Sequence, residues 1–330
     1  MGKKQELKAD IVLKNYWNDN AQFADLFNAV LFDGKQVIKS EELESKDTES
    51  SSILEHKGYA ESLKASRDII KVRKKSTALN VEFVLLGLES QERIHYAMPM
   101  RIMGYDYSSY KKQYDDNAKQ YKTAEDMDDD EYLSRMKRTD KFIPVITVVV
   151  YYGEKAWDGA KSLHEMLEIS EEIAPFINDY KMLLVEARQN NLSLSNINNQ
   201  DLFNLLQIIL NLDLSKQEKR KKAIEYSKEH ETDKSVIMTI AGATNCKLDY
   251  DALAKKGELD MCSLFEATRI EGKIEGKLEG KLEGRAMEII EMGIEFGLSE
   301  NDILERLQKK LNISLQEAKG YLQRFGKESI

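Results

Sequence analysis

The chain has 330 residues, 42% hydrophobic and 32% charged, which is enough apolar material for a packed core and more chain than one average domain uses, so two units are expected. Two cysteines, Cys246 and Cys262, and four histidines exclude a disulfide framework or a Cys/His zinc site as the organising principle, so any metal would be a hard cation held by carboxylates. A net charge of −9, from 49 basic and 58 acidic residues, argues against nonspecific coating of nucleic acid and still leaves room for a locally basic groove.

The longest apolar run, Ile143 to Tyr152, is about half of the ~20 residues a membrane span needs. The opening MGKKQELKADIVLKN lacks the apolar segment of a signal peptide. The expectation is a cytoplasmic protein with no membrane partner.

In chain order, residues 10–33 show helical spacing (Ala21, Phe23, Ala24, Phe27, Val30, Leu31) that stops at Asp33-Gly34. The polar stretch 40–52 reads as an exposed loop. Strands are expected at 68–72 and 79–88, and a helix at 96–114. The run EDMDDDE, residues 125–131, has six acids in seven positions and reads as a solvated insertion. PVITVVVYY at 144–152, rich in β-branched residues and closed by Gly153, is the strongest buried strand, with a short one following at 181–185. Trp157 is expected to pack the end of the strong strand.

From Asp201 the helical period dominates, beginning with a buried helix at 202–212. The repeat IEGK-IEGK-LEGK-LEGR lies between Ile270 and Arg285. On a helix it places Ile270, Ile274, Leu278 and Leu282 in one slowly drifting stripe, with Gly272, Gly276, Gly280 and Gly284 opposite. Each glycine costs about 1 kcal/mol relative to alanine, so the segment is weak alone. A second copy burying the stripe would make it a homo-oligomer contact through the 270–285 repeat helix; a solvated linker is the alternative. Ser299 and Ser314 read as helix N-caps, the latter with Glu317 in capping-box spacing. The expected organisation is 10–190 for a sheet-containing domain, 200–268 for a helical extension, 269–285 for the repeat helix or linker, and 286–330 for a small helical unit.

The sharpest chemical feature is FVLLGLESQ, residues 83–91. An apolar strand ends in Glu89, Ser90 and Gln91, and the two-residue period sends Glu89 and Gln91 to one face. An acid and an amide at the mouth of a buried strand are costly unless exposed or engaged. Asp68 opens the preceding strand, and antiparallel pairing would bring it beside Glu89. Two neighbouring carboxylates repel unless a divalent cation sits between them, and Mg2+ (or Mn2+) suits few carboxylates, retained waters and phosphate oxygens. Six basic residues (Lys64, Arg67, Lys71, Arg73, Lys74, Lys75) crowd around the single acid Asp68 in this stretch. A solvated basic hairpin with a strand-ending glutamate is the plain alternative.

The ordered set RD (67–68), LGLESQ (86–91), HYAMPMRIMGYD (95–106) and VVVYYGEKAW (148–157) resembles the Rpn/YhgA-like family, recombination-promoting nucleases also described as transposases, within the PD-(D/E)XK nuclease superfamily. The similarity covers roughly residues 10–165. The resemblance implies an α/β fold, a PD-(D/E)XK nuclease-like mixed sheet flanked by helices, followed here by a mainly helical C-terminal region. It implies a divalent-metal-dependent DNA endonuclease hydrolysing phosphodiester bonds with low sequence specificity. Asp68 and Glu89 become the metal ligands and, with Gln91, the catalytic residues. Gln91 stands where the wider superfamily has lysine, and a neutral amide can orient a water but cannot stabilise charge as lysine does. Lys71, Arg73, Arg93 and Arg101 become candidate DNA contacts, Asp25 a possible additional acidic ligand, Tyr105 a supporting residue, and His95 a weaker candidate base. A catalytically silent nuclease fold, serving as a DNA-binding or assembly module, is the alternative.

Overall fold

A computed structural model of the chain describes residues 9–46, 49–56, 59–66, 69–73, 81–87, 94–121, 127–189, 191–244 and 259–326. It is a mixed α/β protein that divides into two compact units, Met1–Leu264 and Phe265–Ile330.

The first unit opens with two helices, α1 (Ala9–Trp17) and α2 (Asn20–Phe32), where the apolar spacing predicts one. The break is made by Asp19, whose backbone is extended and whose Oδ1 accepts the Ala21 and Gln22 N–H groups at 2.8 and 3.0 Å. An aspartate with this option favours starting a new helix over continuing the old one. Helix α2 ends as expected, at Asp33 and Gly34, both with positive φ. Gly34 admits no side chain, because a Cβ there would sit 2.5 Å from the Ser193 carbonyl oxygen.

The polar stretch expected as a loop contains strand β1 (Leu43–Lys46) and the start of β2 (Glu49–His56), which pairs with β3 (Tyr59–Ser66) as a separate antiparallel ribbon. Leu43 is buried, and β1 is held by its ladder to β4 (Ile69–Arg73) rather than by an apolar run of its own. The main sheet continues through β5 (Val81–Gly87), β6 (Val145–Tyr151) and β7 (Leu183–Glu186), in the order β1-β4-β5-β6-β7. The pairs β1–β4 and β4–β5 are antiparallel; the pairs β5–β6 and β6–β7 are parallel. A parallel pair needs a long crossover. Here the β5–β6 crossover contains helix α3 (Met98–Gln120) and the short α4 (Asp129–Ser134). Part of the acidic run is thus helical: Asp128 caps α4 through Glu131 N–H at 2.8 Å, and acids in a first turn suit the positive end of the helix dipole.

Helices α5 (Ile197–Ile209), α6 (Lys216–Glu229) and α7 (Lys234–Ala243) belong to the same unit. Helix α1 packs on α7 and α2 on α5. Trp17, almost fully buried, donates its indole N–H to the Tyr152 hydroxyl at 2.7 Å and leans on Phe203. The helical layer is therefore tied to the carboxyl end of β6.

The second unit contains most of α8 (Met261–Glu295), which carries the repeat, followed by α9 (Glu300–Leu311) and α10 (Leu315–Phe325). Both predicted N-caps form capping boxes, Ser299 with Asp302 and Ser314 with Glu317. Ala286, Ile290, Ile303, Leu304 and Leu307 make the core, with Leu282 packed against it. Gly293 is required by this packing, since a Cβ there would meet Ile303 Cγ1 at 2.6 Å. Among the described residues no helix is long and apolar enough to cross a membrane.

Candidate functional site

Asp68, Glu89, Gln91 and Arg93 lie outside the described residues. The two strands nearest to the first two in sequence are described. β4 begins at Ile69, which pairs with Leu85, and β5 ends at Gly87, so Ile69 and Gly87 lie at one end of the antiparallel pair. The same edge collects the carboxyl ends of the parallel strands: Gly87 pairs with Val150, and Tyr151 with Glu186. Ligands of open α/β sheets gather outside such carboxyl ends.

The two longer motifs meet beside this edge. Met98, Ile102 and Tyr105 of α3 pack with Val149, Tyr151 and Trp157, and Met182 closes the cluster. Tyr151 is 1% exposed and its ring meets Trp157 edge-on at 5.2 Å. Gly153 is the glycine this fold-back demands, because a Cβ would lie 2.0 Å from the Tyr151 hydroxyl oxygen. Glu186 accepts the Trp157 backbone N–H at 2.9 Å, and Arg188 lies 3.8 Å from the Glu186 carboxylate. The Tyr151 hydroxyl and the Trp157 indole N–H are buried with no hydrogen-bond partner. Burial above all, then the Glu186 and Asp158 charges, raises the Tyr151 pKa above its ordinary value. Trp157 thus packs the end of the strong strand, as its spacing suggests.

One residue of the motif acts as a brace rather than a site. Asp106 on α3, 4% exposed, accepts the Thr147 hydroxyl of β6 at 2.5 Å and the Tyr180 hydroxyl. It fixes the crossover helix to the strand beneath it.

The candidate DNA contacts separate into two groups. Arg101 is exposed and donates through Nε and Nη2 to the Tyr105 hydroxyl at 3.2 and 2.6 Å, as the i,i+4 spacing allows. His95 is exposed too; partial burial, followed by the nearby Arg101 charge, lowers its pKa.

Lys71 and Arg73 correct the sequence expectation. Lys71 is fully buried, its Nζ donating to Asn18 O at 2.7 Å and Asn20 Oδ1 at 2.5 Å and sitting 5.4 Å from the Phe23 ring centroid. Arg73 is 7% exposed, with Nε on Glu42 Oε2 at 2.7 Å and Nη2 on Val37 O at 2.5 Å. Both ends of these side chains are spent on holding α2 and the segment before β1 against β4, which leaves neither cation facing a phosphate. Charge counting in sequence sees the cations but not the face they occupy.

Asp25 is likewise structural. It is 3% exposed on α2, and its Oδ1 and Oδ2 accept Ser195 N–H at 2.7 Å and Asn199 Nδ2–H at 2.8 Å. Both oxygens are committed to anchoring the start of α5, in place of the ligand role implied by the resemblance. Among the described residues no group of three or more His, Cys, Asp or Glu side chains is placed to hold a metal ion.

No family model, no curated protein and no solved structure matches this chain.

Proposed function

We propose that the chain is a divalent-metal-dependent DNA endonuclease of the Rpn/YhgA-like, PD-(D/E)XK type. The observation that carries the proposal is the pairing of Ile69 with Leu85, which puts the chain next to Asp68 and the chain leading to Glu89 at one end of a strand pair. The mixed sheet with helices in the same unit adds support, since a mixed sheet flanked by helices is the coarse arrangement the resemblance implies.

Two carboxylates and no thiolate or imidazole form a donor set that fits Mg2+ or Mn2+. Asp68 and Glu89 would hold the ion, which when bound lowers the pKa of a coordinated water and polarises a phosphate. Gln91 orients that water by hydrogen bonding. Arg101, exposed beside Tyr105, and Arg93 are the cations assigned to the DNA backbone, consistent with low sequence specificity.

A second reading, a catalytically silent fold that binds DNA or assembles, is favoured by one feature. Lys71 is engaged inside the protein and Gln91 replaces the superfamily lysine, so no cation from β4 substitutes for the missing one. Cleavage of supercoiled plasmid by purified protein with Mg2+, Mn2+ or EDTA separates the two. Nicking by wild type that EDTA and Asp68→Ala both abolish supports the endonuclease; equal rates for wild type and Asp68→Ala reject it. Self-association through the repeat helix is a further part of the proposal, checked by light scattering on a chain ended after Thr268: the mass falls if the helix is the contact.

A further inference from the structure

Helix α3 meets the sheet through Met98, Ile102 and Tyr105, and its outer face carries large apolar side chains into solvent. Tyr96, in the turn before the helix, is 66% exposed, and Met100, Met103 and Tyr107 are exposed as well. The last three stand at i, i+3 and i+7, so they share one face over about 10 Å of helix. The β2–β3 ribbon also lies beside α3, and all four side chains remain exposed with it there. A contiguous run of this kind marks an interaction surface, where scattered single residues would not.

The charge on this face has one sign. From Tyr96 to Tyr114 the only acid is Asp106, which is buried and bonded to Thr147 and Tyr180. Arg101 and Lys112 are exposed, and Lys111 is half-buried with Nζ on Asp115 Oδ1 at 2.5 Å. In a chain of net charge −9 this is a local excess of cations. The turn after β6 brings exposed Glu154, Lys155 and Asp158, and Glu186 there has Arg188 at 3.8 Å, so that border is mixed in sign. Tyr96 lies at the same border. After burial, Glu186 and Asp158, its charge is a lesser cause of the raised Tyr151 pKa, which sets it near the carboxyl end of β6.

We propose that this face of α3 binds single-stranded DNA, with bases stacked on Tyr96 and Tyr107, their edges against Met100 and Met103, and phosphates on Arg101 and Lys112. The choice of DNA rests on the nuclease reading; the strand state rests on the side chains. Tyrosine rings and methionines gain from base faces that are open, and a duplex keeps those faces stacked inside. Gripping a duplex by its phosphates alone needs more cations than this face offers. A protein partner would be met by the same apolar groups, but the tyrosines and the unopposed cations favour the nucleic acid.

The test is fluorescence anisotropy on the full chain in EDTA, so that nothing is cleaved. Labelled oligothymidylate is compared with a duplex of equal length, for wild type, Tyr96→Leu and Tyr107→Leu. Both rings are exposed, so leucine keeps apolar bulk without disturbing the core, and thermal melts check this. Oligothymidylate is expected to bind about tenfold or more tighter than duplex, and each variant to weaken it about tenfold. Failure of wild type to bind oligothymidylate, equal binding of duplex, or unchanged binding by both variants would overturn the proposal. Such a failure with plasmid nicking intact removes this surface and leaves the nuclease reading. Loss of nicking with oligothymidylate binding intact removes the enzyme and leaves the surface.

Discussion

Ile69 and Leu85 face each other across the antiparallel β4–β5 ladder. That single register sets the account: it makes the entry to β4 and the exit of β5 neighbours at the edge where β6 and β7 also end. A parallel arrangement of the two strands would have sent the entry to β4 and the exit of β5 to opposite ends of the sheet.

Burial of Lys71 predicts a pH dependence. Desolvation lowers its pKa below the ordinary lysine value, so between the folded and unfolded pKa values the unfolded chain binds more protons and stability rises with pH. The burial cost is fully present below the folded pKa and is relieved as pH approaches the unfolded value. Urea midpoints measured from pH 7 up to the ordinary lysine value of about 10.4 should therefore rise more for wild type than for Lys71→Met. Parallel curves would mean the ammonium is solvated.

Asp106 serves two buried or half-buried hydroxyls from separate elements. Asp106→Ala leaves Thr147 and Tyr180 without that acceptor, at about 1–3 kcal/mol for each. Chemical denaturation should show a loss of at least about 2 kcal/mol; a loss within experimental scatter would mean the hydroxyls find other acceptors.

The fold-back of Tyr151 over Gly153 is tested by Gly153→Ala. The new methyl collides with a ring that is 1% exposed and cannot swing away, so a loss of about 1–3 kcal/mol is expected. Tyr151→Leu in the same chain removes the colliding ring atoms and should recover part of it. Strict additivity of the two changes would contradict the geometry.

In α8, by contrast, added methyls at Gly280 and Gly284 meet nothing within 4 Å. Gly280→Ala and Gly284→Ala should each stabilise by about 0.5–1 kcal/mol through helix propensity. Destabilisation together with a lower mass in light scattering would place a second chain against these glycines.

Much of the fold was legible because its signals are local. The β-branched run of β6, the Asp33-Gly34 stop, and the serines at 299 and 314 each carry their meaning within a few residues. Strand β1 was not legible, since only its ladder to β4 makes it a strand. Lys71 and Arg73 misled for the same reason. A cation on a strand reads as surface until the helix that buries it, with Asn18, Asn20 and Phe23 some 50 residues away, is in place.

The central claim, that Asp68 and Glu89 share one divalent ion, is tested most directly by Mn2+ titration monitored by electron paramagnetic resonance, without DNA. The account predicts one specific Mn2+ site in wild type, displaced by Mg2+ and lost in both Asp68→Asn and Glu89→Gln. Retention of that site in either variant, or no specific site in wild type, would contradict it.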